Sequence, residues 1–281
     1  MSISGSARLA GVMGWPIAHS RSPRIHGYWL QEYGIDGAYV PLAIQPEDLA
    51  DSFRMLPRLG FRGWNITLPH KEAALRLVDT ATAAAERIGA VNTVTVQPDG
   101  GLSGDNSDAF GFTAHLNQSA PGWPSDRPAV VLGAGGAARA ICFALLEAGV
   151  PEVRIANRTQ ARAESLAAAN GRQARAVPWD ARTEALADAG LLVNTTSLGM
   201  RGQPPLPMEL TALPADAVVN DIVYVPLQTP LLATAAARGL RTVDGLGMLL
   251  HQARPGFSRW FGREPMVTET LYSTIAKDIA P

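Results

Sequence analysis

Apolar and polar positions along the chain follow two alternating rhythms. Short apolar runs, several with strict alternation, are followed by stretches whose apolar residues recur every three to four positions. These are the signatures of strand and helix. Residues 9–13 predict a strand. Ser22 as N-cap, Pro23 at the first helical position and Gly34 as the stop predict a helix over 23–33. Residues 38–44 predict a strand, 46–59 a helix stopped by Gly60, and 61–68 another strand. Two short helical stretches, 71–78 and 82–88, follow. Residues 90–96 and 101–103 then flank Gln97-Pro98-Asp99-Gly100, a hairpin signal.

After a Pro-, Gly- and Ser-rich stretch at 117–128, read as a loop between two halves, the unit becomes tighter. Strand-like runs at 129–132, 153–156, 191–194 and 218–222 are near-continuous in apolar residues. Helical patterns at 137–148 and 160–169 separate the first three. Buried strands alternating with helices predict βαβ units on a parallel sheet. Pro255 and Gly256 interrupt the apolar pattern of 246–261 and predict a break near Arg254.

The glycines after the run at 129–132 change the picture from fold to chemistry. Val131-Leu132-Gly133-Ala134-Gly135-Gly136-Ala137-Ala138 is a strand entering a G-x-G-x-x-A turn and then a helix. Gly133 permits the tight turn, Gly135 lets the backbone approach a pyrophosphate, and Ala138 lets helix and strand pack closely. The helix start offers unpaired N–H groups to phosphate oxygens. The next strand end names the dinucleotide. An NAD site places an acid there for the ribose 2′-hydroxyl, whereas this chain has Asn157-Arg158-Thr159, with Arg162 a turn later. An acid would repel a 2′-phosphate, while guanidinium and hydroxyl groups bind one, so NADP is the expected cofactor. A capping Thr159 with solvated arginines is the plain alternative.

Composition excludes more than it proposes. The 281 residues are 47% hydrophobic and 17% charged, with a net charge of −1, which gives no electrostatic case for nucleic acid or an anionic membrane. Cys142 is the single cysteine, so no internal disulfide forms; it sits in an apolar run and reads as a buried structural thiol. Residues 1–15 lack the pattern of a signal peptide, and no run of about twenty apolar residues is present; a cytoplasmic location is the expectation. The five histidines show no ligand spacing with Cys or acids, so no metal site is expected. His70 reads as a surface residue at a helix start, and the six tryptophans as packing.

Four polar clusters remain. Residues 63–71, GWNITLPHK, form a strand whose polar face carries Asn65 and Thr67 and leads to Lys71. Residues 14–23, GWPIAHSRSP, place Ser20 and Ser22 before a helix start. The others are Gly89-Ala90-Val91-Asn92-Thr93 and Gly104-Asp105-Asn106-Ser107-Asp108. Alone, each reads as caps, turns or a solvated edge. Together, in this order and spacing, they resemble the motifs of the shikimate dehydrogenase family. The resemblance continues through residues 194–200 (NTTSLGM), 221–229 (DIVYVPLQT) and 244–253 (DGLGMLLHQA), and so spans nearly the whole chain.

The resemblance implies NADPH-dependent reduction of 3-dehydroshikimate to shikimate on the route to aromatic amino acids. Ser20 and Ser22 match the serines that hold the substrate carboxylate. Asn65, Thr67, Asn92 and Gln252 match residues contacting its hydroxyls, with Tyr224 near the substrate. Lys71 and Asp108 match the catalytic pair. Gly133, Ala134, Gly135, Gly136, Ala137, Asn157, Arg158, Thr159, Arg162 and Thr195 fall on the NADP site, and Gly247 and Met248 near the nicotinamide. Gly27 stands where the family usually has Asn, and Ser107 where Thr is commoner.

The expected architecture is α/β in two domains with a cleft between them. A substrate domain spans 1–105 with a C-terminal return over 246–281, and a Rossmann-like NADP domain spans 106–245. The expected partner is a small-molecule substrate, with no nucleic acid or membrane; a homodimer is compatible with the resemblance. Two rival readings stand beside this one: a quinate/shikimate dehydrogenase using NAD, and a non-catalytic NADP-binding regulator. Two serines at 20 and 22, rather than serine and threonine, favour shikimate over quinate.

Overall fold

The first strand, β1 (Arg8–Gly14), is buried along most of its length and becomes an interior strand of a mixed sheet. The structure, a computed structural model, describes residues 3–279; residues 1–2 and 280–281 of the expected substrate domain lie outside the described residues. After β1 come α1 (Ser22–Glu32), β2 (Gly37–Ala43), α2 (Leu49–Arg58), β3 (Phe61–Ile66), α3 (Lys71–Ala74), β4 (Thr80–Ala81), α4 (Ala83–Ile88), β5 (Thr93–Val96) and β6 (Leu102–Asp105). The sheet order is β2-β1-β3-β5-β6-β4. Strands β1, β2 and β3 are parallel, and β5 runs antiparallel to both β3 and β6. The expected hairpin is therefore present.

The chain then forms α5 (Asp108–Ser119), β7 (Ala129–Leu132), α6 (Gly136–Glu147), β8 (Val153–Ala156), α7 (Gln160–Ala169), β9 (Ala174–Val177), β10 (Leu191–Asn194), β11 (Val218–Asp221), α8 (Pro230–Ala237), β12 (Arg241–Val243), α9 (Leu246–Phe261) and α10 (Glu269–Lys277). This second sheet is wholly parallel, in the order β12-β11-β10-β7-β8-β9. It grows outward from β7 in both directions, the doubly wound arrangement of a dinucleotide-binding domain.

The fold divides into two units. One comprises Met1–Ser107 with Gln252–Ile275, the other Asp108–His251 with Ala276–Pro281. Helix α9 contributes residues to both. In the first unit Met13, Phe53, Trp64, Ile66, Val91 and Val94 form the core, with Phe53 edge-on to Trp64 at 5.3 Å. In the second, Leu132, Leu192 and Val219 share one face of the parallel sheet and cluster with Leu232 of α8.

Several expectations are corrected. Arg21, not Ser22, is the N-cap of α1; Ser22 is the first helical residue, and its hydroxyl bonds to Tyr39 instead. The first turn of the helix expected over 46–59 is a short 3₁₀ turn, Pro46–Asp48. Helix α3 is a single turn and stops at Ala74. Helix α5 extends to Ser119, into the expected loop. Helix α9 runs through Pro255 unbroken. A proline inside a helix costs about 3 kcal/mol, but Ala253, Phe257, Trp260 and Phe261 are all buried on that helix and hold its course. Gly256 lies under the Trp260 ring, where a Cβ would come within 2.7 Å of Cη2.

Candidate active site

In the first unit the polar residues of the sequence clusters converge at the ends of β1, β3 and β5. Asn65, near the end of β3, is buried. Its Oδ1 accepts from the Tyr39 hydroxyl at 2.6 Å, and its Nδ2 donates to the Asn92 carbonyl and to Thr93 Oγ1, each at 3.1 Å. Asn92 Oδ1 accepts from Thr93 Oγ1 and from the Ser107 N–H, each at 2.8 Å. Asn65 and Asn92 are thus brought together, with Ser22 tied in through Tyr39. The Ser22 N–H donates to Ser20 Oγ at 3.3 Å. Thr67 is half-buried just beyond β3, its N–H bonded to the Met13 carbonyl at 2.9 Å. Burial raises the Tyr39 phenol well above its usual range, so it is a neutral donor.

Lys71 opens α3 and is half-buried. Its carbonyl accepts from the Val91 N–H at 2.9 Å, which fixes the start of α3 against the segment leading to Asn92. His70, expected at the surface, is instead buried at the N-cap of α3. Its Nε2 lies 2.8 Å from the Ile44 carbonyl, so that nitrogen carries the proton and donates. Gln252 is a half-buried residue of the first unit.

In the second unit Asp108 is the first residue of α5 and is buried. A carboxylate at a helix start is stabilised by the positive end of the dipole. Tyr224 is half-buried after β11. Gly133 follows β7 with φ +109, and a Cβ there would lie 2.5 Å from Thr195 Oγ1. The Thr195 hydroxyl donates to the Leu132 carbonyl at 2.6 Å, so β7 and β10 are joined where the strand order reverses. By contrast, open space lies above Gly135 and Gly136, at the start of the 12-residue helix α6. After β8, Asn157 is half-buried and Arg158, Thr159 and Arg162 are exposed. Thr159 is the N-cap of α7, yet its hydroxyl makes no capping bond. These residues fit NADP: a bare glycine turn for the pyrophosphate, and two guanidinium groups with no acid for a 2′-phosphate.

Buried polar residues brace that edge. Asp221, at the end of β11, accepts from Asn194 Nδ2 at 2.9 Å, the Val223 N–H at 3.0 Å and Thr229 Oγ1 at 2.7 Å. Burial pushes its carboxyl up to about 6. Gly247 packs on the His115 ring, where a Cβ would lie 2.0 Å from Nδ1. His115 Nε2 donates to the Asp244 carbonyl at 3.0 Å, and burial lowers its pKa. Met248 is buried beside Gly247 on α9. Cys142 is buried in α6, which pushes its thiol up to about 12 and keeps it unreactive.

Comparison with known proteins decides the family. Residues 12–94 match the shikimate dehydrogenase substrate binding domain, and residues 116–199 match shikimate / quinate 5-dehydrogenase. The shikimate dehydrogenase (NADP(+)) of Paramagnetospirillum magneticum is 60% identical over 96% of this chain and 98% of its own.

This chain belongs to the shikimate dehydrogenase family.

Other family members agree along the full length. The Rhodospirillum rubrum shikimate dehydrogenase (NADP(+)) is 57% identical over 97% of this chain and 98% of its own. A solved structure of the Thermus thermophilus shikimate 5-dehydrogenase, in complex with NADP(H) and shikimate, is 41% identical. It superposes with a TM-score of 0.85, covering 97% of this chain and 100% of that one. The Corynebacterium glutamicum quinate dehydrogenase in complex with NAD is 32% identical with a TM-score of 0.90, covering 96% and 99%. As a shikimate dehydrogenase family member the chain combines an α/β substrate-domain sheet with a Rossmann-like one. Among its described residues no group of three or more His, Cys, Asp or Glu is gathered to hold a metal, and no helix is long and apolar enough to cross a membrane. Tyr39, Thr93 and Ser107 were not singled out by the sequence as site residues. Thr93 and Ser107 lie inside the quoted clusters, but Tyr39 sits in a plain strand pattern and only its hydroxyl hinted at a buried partner.

Proposed function

We propose that the chain is an NADP-dependent shikimate dehydrogenase, interconverting 3-dehydroshikimate, NADPH and a proton with shikimate and NADP⁺ in aromatic amino acid biosynthesis. The observation that carries this reading is the 60% identity over 96% of the chain to a relative of that name. The exposed Arg158 and Arg162 after β8, with no acid beside them, support the choice of NADP.

NADPH, when bound, supplies the hydride. Gly133, Ala134, Gly135, Gly136 and Ala137, with Thr195, are assigned to its pyrophosphate. Asn157, Arg158, Thr159 and Arg162 are assigned to the adenosine end, and Gly247 and Met248 to the nicotinamide end. In the first unit Ser20 and Ser22 take the substrate carboxylate, and Asn65, Thr67, Asn92 and Gln252 its ring hydroxyls, with Tyr224 of the second unit assigned beside the substrate. Lys71 donates a hydrogen bond and then a proton to the carbonyl oxygen as negative charge grows there; Asp108 fixes the charge of the lysine and accepts from a substrate hydroxyl. Acid–base assistance of this kind contributes about 10²–10⁴-fold.

The test is the initial rate with shikimate and with quinate, each with NADP⁺ and NAD⁺. Turnover confined to shikimate with NADP⁺ is the expected result. Equal or faster turnover with quinate or NAD⁺ overturns the specificity, and cofactor binding without any turnover makes the chain a regulator. A cytoplasmic site of action is proposed with it, and light scattering on the purified chain reads whether a homodimer forms.

A further inference from the structure

Asn65 and Asn92 lie in one buried hydrogen-bond chain of the first unit, and its donors can be assigned. Asn65 Nδ2 is 3.1 Å from the Asn92 carbonyl oxygen and 3.1 Å from Thr93 Oγ1. A carbonyl only accepts, so nitrogen must face it, and both amide hydrogens of Asn65 are committed. Its Oδ1 already receives the Tyr39 hydroxyl at 2.6 Å. One lone pair is what remains for anything else. At Asn92 the order is reversed. Its Oδ1 accepts from Thr93 Oγ1 at 2.8 Å, the Ser107 N–H at 2.8 Å and Ser107 Oγ at 3.1 Å. An N–H only donates, so oxygen must face it, and any further bond from this side chain comes from Nδ2.

Thr93 stands between the two amides, fully buried, accepting from one and donating to the other. Tyr39 is backed by His26, whose ring stacks on it at 3.8 Å with planes 3° apart. His26 is fully buried, and neither ring nitrogen has a hydrogen-bond partner among the described residues. Burial lowers its pKa to about 3, so this wall is neutral.

We propose that Thr93 and Tyr39 are positioning residues that lock in place two amides whose opposite polarity, Asn65 as acceptor and Asn92 as donor, is set by the Asn92 carbonyl and the Ser107 N–H, so that the site reads a polyol by the direction of its hydroxyl hydrogens. This rests on the assignment of Asn65 and Asn92 to the substrate. An amide free to turn over would satisfy either orientation of a ligand hydroxyl. The Asn92 carbonyl and the Ser107 N–H set that choice, and the Thr93 relay and the Tyr39 hydroxyl hold each amide against turning or drifting from it. A ligand hydroxyl on Asn65 must donate, and one on Asn92 must accept.

The experiment is steady-state kinetics on the full chain with shikimate and NADP⁺. Thr93→Val keeps the shape and removes the hydroxyl. It is expected to raise KM for shikimate about tenfold, the scale of one hydrogen bond, with kcat within about threefold and KM for NADP⁺ unchanged. Thr93→Ser restores the hydroxyl and is expected to return KM close to wild type. Tyr39→Phe acts on the Asn65 arm alone, raises KM several-fold, and decides the matter if Thr93→Val fails to fold. Two shikimate analogues, each with one non-oxidised hydroxyl replaced by fluorine, give the readout that a merely structural role would not move. Fluorine cannot donate, so wild type separates the two analogues by about tenfold in KM and Thr93→Val narrows the gap. Equal effects of Thr93→Val and Thr93→Ser, or an unchanged gap, overturn the proposal. Asn65→Ala and Asn92→Ala run alongside. If neither raises KM for shikimate, the site assignment itself has failed; if both do and neither Thr93→Val nor Tyr39→Phe does, the positioning role alone is wrong.

Discussion

Replacing Asp221 by Asn is expected to change how the protein's stability depends on pH. The Asp221 carboxyl is fully buried, and its folded-state pKa of about 6 lies above the ordinary 3.8. The folded state therefore holds this proton more tightly than the unfolded state. The sign follows: the contribution is fully present below about pH 4 and is lost as pH rises through about 6. The gap between about 6 and 3.8, at about 1.36 kcal/mol per pH unit, corresponds to about 3 kcal/mol. About 2 kcal/mol of it falls between pH 4.5 and pH 7.5. In Asp221→Asn the amide oxygen can still accept from Asn194 Nδ2 and the Val223 N–H. The amide nitrogen replaces the oxygen that accepts from Thr229, whose hydroxyl must turn round. That rearrangement costs about 1 kcal/mol at every pH. Carboxylates with depressed values, such as Asp105 and Asp188, titrate equally in both proteins and cancel in the difference. Urea unfolding followed by tryptophan fluorescence at several pH values gives that difference. The variant should gain about 2 kcal/mol on wild type between pH 4.5 and pH 7.5. A difference constant to within about 0.5 kcal/mol across that window would refute the reasoning.

Lys71→Ala should lower kcat by about 10²–10⁴-fold and leave NADP⁺ affinity, measured by fluorescence titration, nearly unchanged; a small fall would remove Lys71 from the chemistry. Arg158→Ala loses a charge-assisted bond of about 1.5–3 kcal/mol, so KM for NADP⁺ should rise about 10–100-fold while KM for NAD⁺ stays put. Parallel rises for both cofactors would speak against a 2′-phosphate contact. Gly247→Ala drives a methyl into the His115 ring and should cost about 2 kcal/mol, lowering Tm by roughly 4–8 °C; a wild-type melt would mean that the ring yields freely.

The parallel sheet was the most legible part of the sequence. Residues 153–156 and 160–169 were bounded without error, because Pro151 and Thr159 mark the starts and Asn170-Gly171 the stop. Strands β9, Ala174–Val177, and β12, Arg241–Val243, escaped notice: each is an edge strand of three or four residues that carries arginine and shows no apolar run. Helix α5 was hidden because Asp108 closes a turn-like cluster and its glycine, Gly111, weakens the helical pattern. The proline in α9 misled for the opposite reason. Local propensity is about 3 kcal/mol against the helix there, and aromatic burial supplied by distant residues outweighs it. At the candidate site the residue types were readable and their hydrogen-bond directions were not. Asn65 is a plain polar position in the strand pattern, and only packing shows that Tyr39, Thr93 and the Asn92 carbonyl leave its amide a single lone pair.

Trp260 has a consequence for how the protein is made. Its indole crosses the backbone at Gly63, where any Cβ would lie 2.0 Å from Nε1, and donates to the Val94 carbonyl at 3.0 Å. The strands it clamps, β3 and β5, leave the ribosome early, whereas the clamp is encoded more than 160 residues later. A nascent chain must therefore carry an open-faced sheet through synthesis of the whole Asp108–His251 segment of the second unit. The unit that is begun first waits open while most of the second is made. Stalled chains ending before Phe257 should expose that face to chaperones and proteases, and chains extended past Phe261 should not.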